Sequence, residues 1–568
     1  MTNKPKIWCV LFVLSWSACK KGPSRPYLEA SKGGSSEPIP KGVDTDGDGV
    51  PDRAAPVTAL AFTTALPRIT HLQWENSVKD VLLLPAIPNL SSSFTADPSG
   101  SFFKSDGNLL KVTPALWNDY QTAAETVAAK TIGDPTLLNK LVPDGTPESG
   151  DARAKAIIRP LARRAFRGNV TEAQVNRLVA LYNKGPELTG LKNATAAGLQ
   201  LVITALLQSP RFLYRTEIGK SPSQLVELTA HEVASRLSFA AWNTIPDEEL
   251  LKAAESGELL SPTGLKAQVT RLLADARSDP TLVDFFKKIF DTESFIDVKK
   301  DAKALGYWPG DMGLTLVKEA DLFINDVIIT EKGGMNQLLT APYAFVNAKT
   351  APLYGIQEKL GNDFVKKELN PEQRSGILTQ VGFLARRSKE AESDPIHRGV
   401  VVATNVLCAE LSAPPATFPP LPDIAPGLST RDRVEQHTGK GTCGSTCHGD
   451  VINPAGYAFE NFDAAGRWRT MDNDKPVNAA GRFGFPASSI SFTNAVDFNK
   501  AIANRDELHR CYVAKAIELM YARQVDPQDE SLIAVLAKRS AKNLSARDLF
   551  FQLLTDSRIA ARGNPEGE

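Results

Sequence analysis

An excess of charge of either sign is missing from this sequence. Lys and Arg together number 65, and Asp and Glu together number 65, so the formal net charge of the 568 residues is zero. A protein whose main task is to cover nucleic acid needs a basic surface that neutralises phosphates. The balance of charges therefore argues against that class, and we predict no nucleic-acid partner.

Long apolar runs are also missing after the first residues. The run at 7–16 is too short to span a bilayer as a mature helix. It follows two lysines and ends in small residues directly before Cys19, which is typical of a lipoprotein signal with Cys19 as the acylated residue. Trp16 stands where such signals usually have Leu, so plain secretion is the alternative. We expect a cell-envelope protein, periplasmic or facing the outer membrane, that contacts the membrane through this lipid only.

The sequence lacks the signatures of several enzyme classes. It has no Gly-rich phosphate loop, no Gly-x-Ser-x-Gly elbow and no His-Glu-x-x-His. The acidic run 247–249 opens a predicted helix, where the helix dipole favours acids. His231 lies in a capping box and is predicted to be structural, and the Arg-rich stretch 159–167 is typical of a solvated helix face. The sequence leaves open whether the protein is an enzyme.

Cysteine is concentrated at the two ends of the chain, and four of the six residues lie in the last third. Two of these four are Cys443 and Cys447, and His448 directly follows Cys447. Covalent haem attachment needs two thiols that add to the vinyl groups and a His directly after the second thiol, which ligates the iron. We predict haem c on Cys443 and Cys447 with His448 as the proximal ligand. Three residues separate these cysteines, whereas the common spacing is two.

Two other interpretations of this cluster stay open. Cys443 and Cys447 are also compatible with a structural disulfide, and with His448 and His437 they would suit a zinc ion. A sixth iron ligand is not obvious from the sequence. Met520 and Met471 are candidates, as are His437 and His509. For Met520 the alternative is a core methionine on its helix, and His509 is rather expected at the surface or as a helix cap.

If Cys443 and Cys447 hold haem, Cys408 and Cys511 remain in a compartment that permits disulfides. We predict a Cys408–Cys511 disulfide. It would link the segment before a proline-rich connector to the C-terminal helical region.

An acidic loop lies in the flexible tether that follows the signal. Asp44, Asp46, Asp48 and Asp52 alternate with glycines, as a Ca²⁺ loop requires. The twelfth position is Ala55 where an EF-hand has a bidentate Glu. Ca²⁺ binding is therefore one expectation for this loop, and a solvated acidic spacer is the other.

Helical periodicity dominates from residue 66 onward. Thr171 and Thr229 each begin a capping box, and apolar residues then recur at helical spacing. Further helices are predicted near 263–275, 280–290, 315–330 and 371–386. The predicted fold class is mainly α, with several helical modules and a small, loop-rich, cytochrome-c-like module near the C-terminus. The predicted segments are a signal at 1–19, the tether at 20–60, helical modules at 61–145, 146–220 and 221–365, the cysteine-containing module at 366–475 and a C-terminal helical module at 476–568.

Several stretches resemble one family of exported multi-module proteins. The matching stretches are 68–80, 160–167, 207–215 and 228–250, and the most specific runs from Cys447 to Arg469. They are similar to planctomycete proteins with cytochrome-c-like domains and associated domains of unknown function. The resemblance covers nearly everything from 66 to 560 and implies an exported protein with a haem-attachment motif and a role in electron transfer. The redox partner or extracellular substrate stays unknown.

The segment after the cluster has its own expectations. Phe459, Phe462 and Trp468 would either wall a haem edge or form an ordinary small core. Asp463 is expected in an internal ion pair, and one of the two nearby arginines, Arg467 and Arg469, is a candidate for a haem propionate.

Overall fold

Capping residues set the starts of many helices in this chain. The computed structural model describes residues 62–98, 102–220, 223–411, 427–439 and 448–564, together with single residues at 54, 55, 57, 60, 441, 442 and 445. Thr171 and Thr229 each accept a hydrogen bond from the backbone N–H three residues later, and the side chain at that later position bonds back to the cap. Both predicted capping boxes are confirmed.

The mainly α fold class is confirmed, and the described chain divides into two units. The helical unit comprises Glu37–Lys288 and Val513–Glu568, and the cysteine unit comprises Ile289–Tyr512. Each division point falls within a helix, Asp279–Phe290 in the first case and Asp506–Tyr521 in the second.

The helical unit is built from helices that pack around one large apolar core. Trp74, Tyr120 and Phe212 are among its fully buried side chains. Its described α-helices, apart from those at the division points, are His71–Val81, Pro114–Gly133, Pro135–Lys140, Gly150–Phe166, Glu172–Asn183, Gly185–Thr189, Ala194–Leu207, Pro210–Leu213, Ala230–Trp242, Glu248–Glu255, Pro262–Ala274, Glu530–Ala541 and Ala546–Leu554. Short 3₁₀ turns lie at Ser91–Ser93, Glu258–Leu260, Ala276–Ser278, Pro527–Asp529 and Ser557–Ala560.

The cysteine unit has shorter helices and more irregular chain. Its described α-helices are Ala302–Leu305, Met312–Asn325, Met335–Thr340, Val381–Arg386, Pro395–Val401, Thr430–Thr438, Asn453–Tyr457 and Ala495–Ala503. Three π-helical turns, Asp326–Thr330, Val402–Val406 and His448–Ile452, adjoin α-helices. Short 3₁₀ turns lie at Thr292–Asp297, Ala351–Tyr354 and Ile377–Thr379.

Strands are few and pair in twos in the described chain. In the helical unit Leu225–Glu227 pairs antiparallel with Ala561–Gly563, with Val226 opposite Arg562. The cysteine unit has three antiparallel pairs, Tyr343–Val346 with Val365–Glu368, Met471–Asp472 with Lys475–Pro476, and Gly481–Gly484 with Ser489–Phe492.

The helix predicted at 371–386 is wrong in its first half. The chain turns at Gly376, forms the 3₁₀ turn Ile377–Thr379, and only then begins the helix Val381–Arg386. Gly376 has φ of +62°, and a Cβ there would lie 2.3 Å from the Leu338 carbonyl oxygen. A left-handed residue with so close a neighbour interrupts a helix even where the apolar spacing continues through it.

The prediction of a solvated Arg-rich face is also wrong in part. Arg159 is exposed and pairs with Glu172, as such a face would require. Arg167, by contrast, is 4% exposed and donates hydrogen bonds to three backbone carbonyls. Its backbone is left-handed and ends the helix, so its side chain leaves the direction that helical spacing predicts. Within the part of the chain described here, no helix has the length and apolar character needed to cross a membrane.

Candidate cofactor site

His448 begins a π-helical turn that continues as the helix Asn453–Tyr457. The wider turn brings residues five apart together, and His448 Nδ1 lies 3.2 Å from Asn453 Oδ1. Asn453 is buried, and its Nδ2 donates a 3.0 Å hydrogen bond to Thr438 Oγ1. Since the amide oxygen can only accept, Nδ1 carries the proton and Nε2 is left with the lone pair that a metal ion would use.

The electrostatic surroundings of His448 favour its neutral form. Burial lowers the pKa of His448, and the nearby His437 lowers it further, whereas the hydrogen bond with Asn453 raises it. The net direction is downward. Neutral imidazole is the form that ligates metals, so this site presents a ligand at neutral pH without displacement of a proton from Nε2.

Two close-packed glycines hold the His448 turn in place. The helix Pro395–Val401 packs against Asn453–Tyr457, and each helix has a glycine at the contact. A Cβ on Gly399 would lie 1.9 Å from the Ile452 carbonyl oxygen, and a Cβ on Gly456 would lie 1.8 Å from the Pro395 carbonyl oxygen. Larger residues at either position would therefore push the turn away from its support.

Arg398 fixes the segment that follows the turn. Its side chain is fully buried, and its guanidinium donates to the carbonyls of Phe459, Phe462 and Asp463 at 2.8–3.0 Å. A further hydrogen bond reaches Ser388 Oγ at 2.8 Å. Burial lowers the pKa of Arg398 to about 10, so the guanidinium stays charged at neutral pH. One cation therefore satisfies three carbonyls that no helix pairs.

A cavity of about 860 Å³ lies beside the His448 turn in the cysteine unit. Gly449, Asp450 and Val451 of the turn form one side of it. The remaining walls combine aromatic, charged and loop residues, namely Leu407, Ala409, Glu410, Arg431, Glu435, Pro454, Tyr457, Gly481, Arg482, Phe483, Gly484, Phe485, Pro486, Ser488, Ser489 and Glu507. This volume falls in the range that small-molecule and cofactor sites occupy.

Arg431 is the best-anchored charge on the cavity wall. Its Nη1 donates to the carbonyls of Asn478 and Ala480 at 2.9 and 2.6 Å, and its guanidinium lies 4.4 Å from the centre of the Tyr457 ring. Burial raises the pKa of Tyr457, and the carboxylate of Glu435 acts in the same direction. The wall thus holds one fixed cation, stacked on a phenol that stays neutral at physiological pH.

The aromatic residues after the cluster form a core away from this cavity. Phe459 and Phe462 are fully buried. Phe462 contacts Trp468 edge to face with ring centres 5.4 Å apart, and Phe459 packs similarly on Phe498 at 6.1 Å. None of Phe459, Phe462 and Trp468 lies among the residues that line the cavity. Of the two expectations for these rings, the structure has the ordinary small core.

The arginines considered for haem propionates are engaged elsewhere. Arg467 Nε lies 2.8 Å from Asp463 Oδ2, which is the internal ion pair expected for that aspartate. Arg469 lies 2.6 Å from Asp472 and 3.1 Å from Glu460. Arg431, which the sequence did not single out, is the cavity-facing arginine with the firmest anchorage.

Cys408 and Cys511 are joined in a disulfide, with Cα atoms 5.5 Å apart and a sequence separation of 103. Both residues are buried. Cys408 follows the π turn Val402–Val406, and its neighbours Leu407 and Ala409 line the cavity. The bond therefore ties one cavity wall to the helix Asp506–Tyr521.

The other predicted site residues fall in different places. Cys19, Cys443, Cys447 and the four aspartates at 44, 46, 48 and 52 lie outside the described residues. Met520 is buried at 1% exposure. Among the residues that the structure describes, no three His, Cys, Asp or Glu side chains cluster as a metal site.

His509 differs from its prediction. It lies inside the helix Asp506–Tyr521 and is fully buried. Its Nε2 donates a 2.9 Å hydrogen bond to the Ala503 carbonyl, and burial lowers its pKa. A histidine near the start of a helix is expected at the surface only if no other part of the fold covers that helix. Here the fold covers His509, so the prediction fails.

Comparison with known proteins gives family matches but no function. Four families, each described as a protein of unknown function, match the chain in order: DUF1587 (PSD3) at 68–133, DUF1595 (PSD5) at 153–217, DUF1592 (PSD4) at 228–356 and DUF1588 (PSCyt3) at 374–472. The four matches follow one another in tandem between residues 68 and 472. No curated protein and no solved structure is significantly similar to it.

The fourth domain spans the candidate site. Its range, 374–472, includes Cys443, Cys447 and His448 as well as Arg398 and Asn453. The hairpin Gly481–Gly484 with Ser489–Phe492, which supplies cavity residues such as Phe483, lies beyond that range. Phe483 and Phe485, two positions apart after Gly481, are a signal by which this strand could have been found from the sequence.

Proposed function

We propose that this chain binds a covalent c-type haem through Cys443 and Cys447, with His448 Nε2 as an axial iron ligand, and that it transfers electrons in the cell envelope. The observation that carries the proposal is the hydrogen bond from His448 Nδ1 to the buried Asn453. Haem-ligating histidines use one ring nitrogen on iron and donate the other N–H to a fixed acceptor, which sets ring orientation and ligand basicity.

The residues present fit this cofactor on chemical grounds. Two thiols and an adjacent histidine are the donor set that covalent haem attachment uses, and His448 has no hydrogen-bond partner for Nε2 within the described chain. A haem bound here would supply one-electron redox chemistry. The surrounding chain would fix the His448 ring through Asn453, present the anchored Arg431, and hold the segment after the turn through Arg398.

The site of action follows from the N-terminal signal. With a lipid on Cys19, the protein would be tethered to a membrane while its folded units remain outside the bilayer. Its redox partner would then be another envelope protein or an extracellular substrate. Cell fractionation tests the lipid anchor. We expect the wild-type protein in the membrane fraction. Cys19→Ala, in a protein that still carries a secretory signal, should release it to the soluble fraction.

The cavity beside His448 favours a second candidate, an oxidoreductase. A volume of about 860 Å³ with aromatic and charged walls is suited to a small organic molecule. In that function the cavity would hold the substrate next to the redox centre. Turnover of a substrate by the haem-loaded protein, with loss on substitution of Phe483, would separate an oxidoreductase from a simple electron carrier.

The test of haem attachment is the pyridine haemochrome spectrum of protein exported in a host with c-type maturation. We expect a c-type spectrum that survives denaturation in the wild type and is lost in Cys447→Ala. His448→Ala should alter the native spectrum, whereas His397→Ala, an exposed histidine outside the attachment motif, should retain it.

A wild type without haem, beside a positive-control cytochrome that matures normally, would contradict the proposal. The better account would then be a haem-free binding or assembly protein stabilised by disulfides. Stoichiometric zinc that is lost in both His448→Ala and His437→Ala would identify the zinc alternative instead.

A further inference from the structure

A second, smaller cavity lies in the helical unit, at the start of the helix Ala230–Trp242. Its volume is about 250 Å³. Phe166 and Arg211 face it from one side, and His231 and Ser235 face it from the helix. Its lining shares no residue with the cavity beside His448, and binding there would not require haem.

Arg211 presents an uncompensated cation to this cavity. Its guanidinium lies 4.6 Å from the centre of the Phe166 ring. No described residue forms a hydrogen bond or ion pair with that guanidinium, although the cavity partly buries it. The backbone of Arg211 is firmly held, because the buried Arg167 donates to its carbonyl oxygen at 2.7 Å and to that of Phe212 at 3.1 Å. Among the described residues, the guanidinium therefore rests against the Phe166 ring without a carboxylate partner.

Two residues that line this cavity each carry a buried polar atom without a partner among the described residues. Ser235 is 5% exposed, and its Oγ has no hydrogen-bond partner in the described structure. The same holds for His231 Nε2. The His231 ring packs directly on Gly168, where a Cβ would lie 2.9 Å from Cδ2 of the ring, so the ring orientation is constrained. Buried polar atoms rarely lack partners in native proteins, and two such atoms on one cavity wall point to a ligand that supplies them.

The charge around the cavity favours an anion. Arg167 lies close to Arg211 and Arg215, and no carboxylate contacts Arg167, whose guanidinium is satisfied by carbonyls. Glu232 is the acidic residue of the described wall, and its carboxylate already accepts N–H groups of Thr229 and Ile218 at 2.8 and 2.7 Å. The positive end of the helix dipole adds to the same field.

We propose that this cavity binds the oxyanion group, a carboxylate or a phosphate, of a small ligand. Arg211 would pair with the oxyanion, and Ser235 Oγ and His231 Nε2 would donate hydrogen bonds to it. The planar guanidinium suits both oxyanions, since each offers two oxygens to the fork of N–H groups. The modest volume restricts the ligand to a few heavy atoms beyond that group.

The test is isothermal titration of the full exported protein with inorganic phosphate, with succinate and with succinamide, the uncharged analogue of succinate. We expect saturable binding of at least one anion and none of succinamide. Arg211→Met should weaken that binding about tenfold or more, since hydrogen bonds to charged groups contribute about 1.5–3 kcal/mol. Ser235→Ala should weaken it about three- to tenfold. Arg159→Met, which removes an exposed arginine of the same unit, should leave it unchanged.

The two anions distinguish the sources of the oxyanion. Binding of phosphate alone identifies a phosphate site, and binding of succinate identifies a carboxylate site. Arg211→Lys retains the charge but loses the fork, so it should give an intermediate affinity, and it replaces Arg211→Met if that variant fails to fold. Absence of saturable binding of either anion in the millimolar range, or binding that Arg211→Lys and Ser235→Ala leave unchanged, would overturn the proposal.

Discussion

Asp529 of the helical unit and Glu319 of the cysteine unit are both fully buried carboxyl groups, yet their protonation equilibria shift in opposite directions. Burial alone would raise the pKa of Asp529, but Arg523 and Arg558 reverse the effect and lower it. Arg523 donates to both carboxylate oxygens at 2.7 and 2.9 Å, and Arg558 donates to Oδ1 at 3.1 Å. Glu319 accepts a hydrogen bond from Tyr354 and forms no ion pair, and burial raises its pKa to about 8.

This difference accompanies a difference in how each unit is stabilised. The helical unit consists of capped helices around a continuous apolar core and holds its buried acid in ionised form. The cysteine unit has short helices, π turns and hairpins, together with a disulfide and Arg398 bound to backbone carbonyls. The comparison teaches that both units depend on specific buried links, a charge network in the helical unit and a disulfide with a carbonyl-bound arginine in the cysteine unit. It also predicts that the two units respond to pH in opposite ways.

The largest expected effect is the removal of the buried carboxylate from the helical unit. Asp529→Asn leaves the buried Arg523 without its ion-pair partner, whereas Arg558 keeps Asp556 at 2.8 Å. We expect a loss of about 3–5 kcal/mol in the free energy of unfolding at neutral pH. Urea denaturation measures it. Glu227→Gln, which removes an exposed partner of Lys220 in the same unit, should change the value by less than about 1 kcal/mol.

The same variant tests the acid side of the comparison. The pKa of Asp529 is lower in the folded protein than in the unfolded chain, where it is about 3.9. The ionised Asp529 therefore stabilises the folded protein fully above that pH. This stabilisation is lost as the pH falls through the folded pKa. Asp529→Asn should therefore lose less stability than wild type on acidification below about pH 4. An equal acid loss in both proteins would show that this carboxylate does not set the acid response.

The second effect concerns the disulfide of the cysteine unit. It joins two residues with a sequence separation of 103. The loop-entropy estimate for a loop of about this length is about 4.7 kcal/mol, and measured values are more often about 2–4 kcal/mol. We expect Cys408→Ala with Cys511→Ala to lower the urea midpoint of the cysteine unit by a corresponding amount. Pulsed hydrogen exchange in peptides of the helix Met312–Asn325 reports on that unit. An unchanged urea midpoint would show that the disulfide does not stabilise the cysteine unit.

A smaller effect is expected from Glu319. Between the unfolded pKa of about 4.3 and the folded pKa of about 8, the folded protein binds a proton that the unfolded chain has released. The stability of the cysteine unit should therefore fall as the pH rises through this window. Glu319→Gln should flatten that fall, as measured by the urea midpoint at about pH 5 and about pH 8. Glu358→Gln, an exposed carboxylate of the same unit, should retain the wild-type pH dependence.

The smallest effect sharpens the role of capping in the helical unit. Thr171→Ala removes the side-chain acceptor that caps the helix Glu172–Asn183, and about 1 kcal/mol of stability should be lost. Thr122→Ala, at an exposed position inside the helix Pro114–Gly133, should be neutral or slightly stabilising because alanine has the higher helix propensity. Equal effects of the two substitutions would show that the cap contributes nothing beyond propensity.

The features that the sequence predicted correctly are local. The capping boxes at Thr171 and Thr229 depend on residues three apart, and the helical class depends on spacing within single helices. The interruption at Gly376 escaped prediction because its cause is a carbonyl from another element, that of Leu338. The burial of His509 escaped for the same reason, since its surroundings are assembled only in the folded unit.

The candidate site divides in the same way. The attachment motif up to His448 is continuous in sequence, so it was visible as a pattern. Its supports are not continuous with it: Asn453 acts through a π turn that no periodicity indicates, and Arg431 reaches the cavity from a separate helix. Sequence patterns identify groups that act as neighbours in the chain, whereas anchoring groups are identified by the folded structure.

The central claim, a covalent haem at Cys443 and Cys447, is tested most directly by the intact mass of the exported, denatured protein, reduced and treated with a thiol alkylating reagent. The account predicts the mass of one haem added to the polypeptide and no alkylation at Cys443 or Cys447, because thioether bonds resist reduction and leave no free thiols. The mass of the polypeptide alone, with both cysteines alkylated after reduction, would contradict it and indicate a disulfide or a thiol site in its place.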